Sequence, residues 1–497
     1  MKRRKFIRLT GLGSLSLGVF SSNSFFLTSC QKKGMNGNMS TSYVEITEGD
    51  FSNSFSIPAS IASSGTLEVQ KTNWQIFLGK TTIVFSYQPN SILGPTIVMN
   101  SGEHVSLTIQ NSLNESTNIH WHGLLIPADM DGHPMDVITN GSAFTYSYLV
   151  NQRASFYWYH PHPDGATASQ VFKGLAGGFI VRDAEENALN LPTGSFEIPL
   201  IIQDKRIFSD FSIDYSPQMG EIMSGYLGQY ALVNGKCSPT LTVETTTYRF
   251  RVLNGSNARI YNLALSTNYP FTIIGSDGGL LTIPETTNSI LLGPGERIDL
   301  LIDFSSYELG TELFLMSKSF SNAGIQGIQD FKLMKFTVGQ LNSMVYSTPS
   351  NLSVIPLISE SNAVKTRTFE IGNMSMGMGM DSNSMDSHTI NGLSFDSAVI
   401  NETVQSGTTE IWEFDNSMGQ EPHPMHIHGV QFQVLNRIGG RNSLIVSEKG
   451  WKDTVLVLPN EKVRVIMTFG LNLGVFILHC HNLEHEDNGM MLQFEIV

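Results

Sequence analysis

Phe476-Ile477-Leu478-His479-Cys480-His481, followed by His485 and Met490, is the stretch from which the rest of the chain is read. The apolar run into the tripeptide marks an extended strand, in which successive side chains point to opposite faces. His479 and His481 therefore project one way and Cys480 the other, so a single tripeptide can serve two metal centres back to back. Cys480, His485 and Met490 offer a thiolate, an imidazole and a thioether, a donor set that suits a mononuclear copper once a second imidazole is added. Paired histidines recur at His120-Trp121-His122, His160-Pro161-His162 and His426-Ile427-His428, with His423 just upstream of the last. The two-residue spacing sends both rings of a pair to one face, as a shared cluster requires.

The first and last thirds of the chain repeat one another. Residues 97–103, an alternating strand over 105–109, Asn111-Ser112 and His120-Trp121-His122-Gly123 form one copy. Residues 401–407, a strand over 409–414, Asn416-Ser417 and His426-Ile427-His428-Gly429 form the other. The middle third keeps the strand-and-turn rhythm at Leu241-Thr242-Val243 and over 248–256, but no histidine lies between His162 and His388. Short strands broken by Gly, Pro and Asn, with no long helical period, predict an all-β chain of antiparallel Greek-key sandwiches. A length of 497 residues suits three such domains. We place them at 45–190, 191–340 and 366–497, with a Ser/Pro/Asn-rich connector over 341–365. Histidines confined to the end domains predict that the first and third meet around a metal cluster.

Lys2, Arg3, Arg4, Lys5 and Arg8 open the chain, and an apolar stretch over 9–20 follows, the pattern of a twin-arginine export signal. Leu27-Thr28-Ser29-Cys30 reads as a lipobox that would tether the exported protein through Cys30, or as a plain cleaved signal with an incidental cysteine. Signal residues 1–29 and a flexible tether over 30–44 complete this reading. The expected location is the periplasm or a lipid-anchored membrane face of a bacterium, with a monomer as the expected state. Removing the five leading bases from 30 leaves 25 against 44 acidic residues, a net charge of −19. That excludes a nucleic-acid partner, which rewards basic surfaces, and mildly favours cationic substrates. With Cys30 lipidated and Cys480 a ligand, Cys237 has no disulfide partner and reads as a small buried hydrophobe.

These segments resemble the multicopper oxidases, most closely the bacterial copper-efflux cuprous oxidases, with laccases and bilirubin oxidases more distant. Gly94-Pro95-Thr96-Ile97, Ser276-Asp277-Gly278-Gly279, Gly450-Trp451-Lys452-Asp453-Thr454 and residues 485–491 extend the resemblance over residues 45–497. It implies three cupredoxin-like domains and three kinds of copper site. The type 1 copper would take His423, Cys480, His485 and Met490, with His423 turned toward that site by a bend at Pro424. His120 and His426 would hold the type 2 copper, and His122, His160, His162, His428, His479 and His481 the type 3 pair. Electrons would pass from Cys480 through His479 and His481, and dioxygen would be reduced to water. Asp131 and Glu486 resemble the family's proton-relay carboxylates; alternatively Asp131 is a turn residue before glycine and Glu486 orients a ligand.

The donor is less firmly written. Met374, Met376, Met378, Met380 and Met385, spaced by Gly and Ser, present soft thioethers that prefer Cu(I). The segment resembles a shortened form of the family's methionine-rich insert, or is a methionine-rich linker. Two family positions before His423 that help bind substrate copper are Gly419 and Glu421 here, with Met418, Glu421 and Asp381 as substitutes. Cu(I) oxidation for copper resistance is the leading expectation. Oxidation of small phenolic donors, as in laccases, is the second. A copper-binding electron carrier is the third, and it would leave eight histidines without a purpose.

Overall fold

The computed structural model describes residues 43–373 and 388–497. The expected export signal, Cys30, Asp381 and the methionine segment fall outside these residues. Each third of the chain builds sheets around its own apolar core. In the first, Ser60–Ile61, Thr96–Asn100, Gly177–Arg182 and Ser155–Tyr159 form one sheet; Thr82–Ser86, Ser64–Trp74, His104–Asn111 and Ala143–Leu149 form the other. Strand alternation turns Val105, Leu107 and Ile109 inward to meet Ile97, Met99, Phe179 and Val181 of the opposite sheet. The last third repeats this plan. Ala363–Asn373, Thr409–Asn416, Glu461–Thr468 and Gln433–Gly439, with His388–Ile390 at the edge, make one sheet. Glu402–Val404, Met491–Ile496, Gly474–Cys480, His423–Ile427 and Thr454–Val457 make the other.

The sheets are mixed rather than antiparallel throughout. Ser64–Trp74 runs parallel to His104–Asn111, and Ala363–Asn373 parallel to Thr409–Asn416. In the first case the chain crosses into the opposite sheet, at Thr96–Asn100, before it returns. No hairpin then forces the direction to reverse. The same parallel pair in both end thirds is the structural form of the sequence repeat. The expected start of the first domain at residue 45 also shifts, because Ile46 belongs to the middle core and Asn53–Ser54 pair with Pro239–Thr240.

Two seams join the first and middle thirds. One is apolar: Val84, Ile92, Phe156, Trp158 and Ile180 pack against Ile201, Leu232, Leu253 and Cys237, and the cysteine is 2% exposed. The other is ionic. Arg249 and Arg251, on adjacent outward positions of Thr247–Asn254, meet Glu186, Glu197 and Asp299, while Arg182 grips Glu197 at 2.6 Å. Burial pushes the carboxyls of Glu186 and Glu197 up, but Arg251, Arg249 and Arg182 outweigh it and hold both at about 2.

A buried charge deprived of its partner is expensive. Arg251→Met is therefore expected to lower the unfolding free energy by about 3–5 kcal/mol, measured by denaturant titration. Because the two folded-state values lie below the ordinary 4.5, their contribution is complete above that value and is lost as pH falls toward about 2. Melting temperatures recorded across that window should decline steeply for the native chain and less so for Glu197→Gln.

Candidate metal centres

Strand parity sorts the ligands. In Gly474–Cys480, Cys480 turns into the core of the last sandwich beside Met425 and Met490, while His479 turns out of it. The neighbouring strand His423–Ile427 places Met425 opposite Cys480 and His426 opposite His479. Residue 423 shares the parity of 425, so His423 reaches the Cys480 side simply by standing three positions before His426. The expected bend at Pro424 is absent: the strand runs unbroken from His423, paired with Val457, to His426, paired with Thr454. Cys480 Sγ lies 3.5 Å from His423 Nδ1 and 3.7 Å from His485 Nδ1, and those two nitrogens are 3.2 Å apart. Met490 is fully buried in the same core, and its carbonyl accepts from the Cys480 amide at 3.1 Å.

The other face gathers the eight remaining predicted histidines. His120 pairs across strands with His160 in the first third, as His426 pairs with His479 in the last. The two copies meet crosswise. His120 stacks on His428 with ring centroids 3.7 Å apart, and His122 stacks on His426 at 3.8 Å. His120 Nε2 and His426 Nε2, the expected type 2 pair, stand 3.3 Å apart. Three-residue sets around His120, His122 and His160, around His120, His426 and His428, and around His162, His428 and His479 each bring their ligand atoms within 4.8 Å.

The free nitrogens test whether metal fits. His160 Nδ1 is spent on the Pro161 carbonyl (2.9 Å), His426 Nδ1 on that of Asp453 (2.8 Å) and His479 Nδ1 on that of Cys480 (3.1 Å). His428 Nδ1 is spent on the Asp131 carboxylate. The inward nitrogens Nε2 of His160, His162, His428 and His479, and both nitrogens of His481, find no hydrogen-bond partner among the described residues. Burial holds His122, His160, His162, His426 and His428 well below the ordinary imidazole value. Neutral rings with inward lone pairs are ligands waiting for cations. The residues fit copper at both places: all-imidazole donors on one face, and imidazole with sulfur on the other.

Both predicted carboxylates bridge rings. Asp131 follows the turn Ala128–Met130; its Oδ2 accepts from His428 Nδ1 at 2.7 Å and its carbonyl from His120 Nδ1 at 2.8 Å. Gly132 behind it has φ +81°, and a Cβ there would lie 2.0 Å from the Ile119 carbonyl oxygen. Glu486 lies 3.3 Å from His162 Nδ1 and 3.0 Å from His479 Nδ1. Burial pushes its carboxyl up, but His162 and His479 outweigh that and bring it to about 2.

Several site residues were not legible in the sequence. Asp453, noted there only as part of a shared segment, accepts from His122 Nε2 at 3.0 Å and is clamped by Arg297 at 2.6 and 2.5 Å. A carboxylate paired with guanidinium only accepts, so His122 carries its proton on Nε2 and turns a bare Nδ1 inward. Arg297 comes from the histidine-free middle third, whose backbone also reaches the cluster at Gly295. There φ is +81°, and a Cβ would sit 3.0 Å from two ring carbons of His481 and 3.2 Å from Cε1 of His122. His133 links the first and last thirds through Gln493 at 2.9 Å, while His104 is exposed. Met418 is 92% exposed. Glu421 is half-buried, and burial pushes its carboxyl up to about 7.

Gly295→Ala is expected to cost about 1–2 kcal/mol through its backbone conformation and to reduce bound copper by displacing His481. Metal analysis together with denaturant titration of the purified variant checks both effects.

Profiles described as Multicopper oxidase match residues 68–186, 219–328 and 371–497. The chain is 35% identical over 434 residues to the multicopper oxidase mco of Staphylococcus haemolyticus (strain JCSC1435), covering 87% of this chain and 88% of that one. It is 33% identical over 460 residues to a laccase of Bacillus subtilis (strain 168), covering 81% and 88%. Among solved structures, the McoA multicopper oxidase of the hyperthermophile Aquifex aeolicus matches with a TM-score of 0.81 at 34% identity, covering 91% of this chain and all of that one. Two buried ligand sets sharing one strand, on three cupredoxin-like domains with relatives along most of their length, place this chain in the multicopper oxidase family, copper enzymes that couple oxidation of a donor to reduction of dioxygen.

Proposed function

We propose that His423, Cys480, His485 and Met490 hold the type 1 copper, His120 and His426 the type 2 ion, and His122, His160, His162, His428, His479 and His481 the type 3 pair. The convergence of His423, Cys480 and His485 on one side of a strand, and of the remaining rings on the other, supports this division. Copper in these sites supplies one-electron oxidation of a donor at the first and four-electron reduction of dioxygen to water at the second. The rest of the chemistry belongs to the chain. His479 Nδ1 donates to the Cys480 carbonyl at 3.1 Å, so the two ligand sets are joined both by covalent bonds and by a hydrogen bond. Asp131 and Glu486, each reaching two rings, stand where carboxylates can relay protons toward the reacting oxygen, taking each from one neighbour and passing it to the next.

For the donor we favour Cu(I), oxidised by an exported and monomeric enzyme tethered through Cys30, in the service of copper resistance. One observation carries this reading. Asn373 and His388, which flank the methionine segment, pair with each other, and the His388 ring stacks on His485. The residues that flank this run of Cu(I)-preferring thioethers are thus paired with each other, and one of them lies on the proposed type 1 ligand. The net charge, −14 over the full sequence and −19 without its five leading bases, favours cation capture. Oxidation of organic donors is the second reading, supported by similarity to proteins named laccase and bilirubin oxidase.

Oxygen uptake separates the two. With Cu(I) as donor, uptake is expected in the native enzyme and to be largely lost on deleting residues 374–385, while phenol oxidation persists. Uptake with phenols and none with Cu(I) would turn the assignment to a laccase. Glu486→Gln and Asp131→Asn are each expected to lower kcat by about 100-fold at unchanged copper content, compared by oxygen electrode and metal analysis.

A further inference from the structure

His388 belongs to neither ligand set, yet it is fully buried, and its ring centroid lies 3.9 Å from that of His485 with the planes 21° apart. Its surroundings fix it in place. The Asn488 side-chain amide nitrogen approaches His388 Nδ1 at 3.0 Å, and Ser394 Oγ donates to the His388 carbonyl at 3.3 Å. An amide N–H directed at Nδ1 makes that nitrogen the acceptor and leaves the ring proton on Nε2. That proton faces the Met223 carbonyl at 3.4 Å, and His485 Nε2, which carries the ring proton when Nδ1 serves as a ligand, lies 3.1 Å from the same oxygen and 3.0 Å from the Asn482 side-chain amide. Met223 lies on the short helix Met219–Ser224 of the middle third. Two imidazoles thus stack with matching proton positions over one carbonyl, and only the inner one turns Nδ1 toward Cys480.

We infer that His388 is a positioning residue for the type 1 centre: its stacked ring fixes the plane of His485 and, through that ring, the balance between the two oxidation states of the copper. This rests on the reading of His485 as a ligand given above. The face of an aromatic ring carries negative charge and attracts an electron-poor partner more than an electron-rich one. A ligand imidazole is poorer in electrons when its metal is oxidised. The stack therefore favours Cu(II) over Cu(I) and holds the reduction potential down.

The test uses the full-length, copper-loaded protein with His388→Gln, which removes the ring but keeps a polar side chain, and His388→Phe, which keeps a ring. The readouts are redox titration of the blue thiolate absorbance and the copper hyperfine splitting in electron paramagnetic resonance. His388→Gln should change the Cu(II)-to-Cu(I) preference about fivefold, an upward shift of ~40 mV at ~59 mV per tenfold, and alter the hyperfine splitting. His388→Phe should shift it less than half as far. Equal shifts in both variants, or a change under about twofold in His388→Gln, overturn the inference. A native protein that carries its full copper without blue absorbance would instead sink the ligand reading beneath it.

Discussion

Imidazole nitrogens turned inward, with no hydrogen-bond partner among the described residues, are the feature around which the molecule is arranged. A buried polar atom without a hydrogen bond is costly, and here such atoms converge from both ends of the chain. Their rings stack crosswise between the first and last thirds, His120 on His428 and His122 on His426. Outward nitrogens of His120, His122, His160, His426, His428 and His479 are tied to carbonyls, carboxylates or a hydroxyl, which holds those rings in place. Copper held there would satisfy nitrogens from both domains at once, which would couple metal loading to the contact between them.

The helix Leu483–Asp487 shows how tightly the centres are tied to the rest of the fold. Glu484 accepts from the Tyr226 amide at 3.0 Å and Asn257 at 2.8 Å, both in the middle third. His485 turns to Cys480, and Glu486 to His162 and His479. Asp487 accepts from the amides of Thr167 and Ala168 at 3.0 and 2.9 Å, which open a helix of the first third. Four consecutive residues therefore address two domains and two metal centres. Burial pushes Glu484 up to about 7 and raises Asp487 well above the carboxylate range.

The middle third has no ligand, but it is not a spacer. Arg297 clamps Asp453 and through it selects the proton position of His122. Gly295 closes the cluster beside His481, and the Met223 carbonyl receives His485. Without a histidine of its own, this copy of the fold supplies surroundings that the other two share.

The ligand segments, the repeat and the opposed faces of the Cys480 strand were all legible in the sequence, because strand periodicity alone assigns a side chain to a face. The same rule, applied to the spacing of His423 and His426, already places them on opposite faces and makes a bend at Pro424 unnecessary. What the sequence could not show is which atoms of distant segments meet: Asp453 with His122, Gly295 with His481, His388 with His485. Those pairs are separated by up to 331 positions, and no local pattern encodes them. Parallel pairing of strands was hidden for the same reason, since it follows from chain crossings between sheets. The residues thus wrote the donor chemistry, while the tertiary structure decided which nitrogen of each ring is free and what stands behind it.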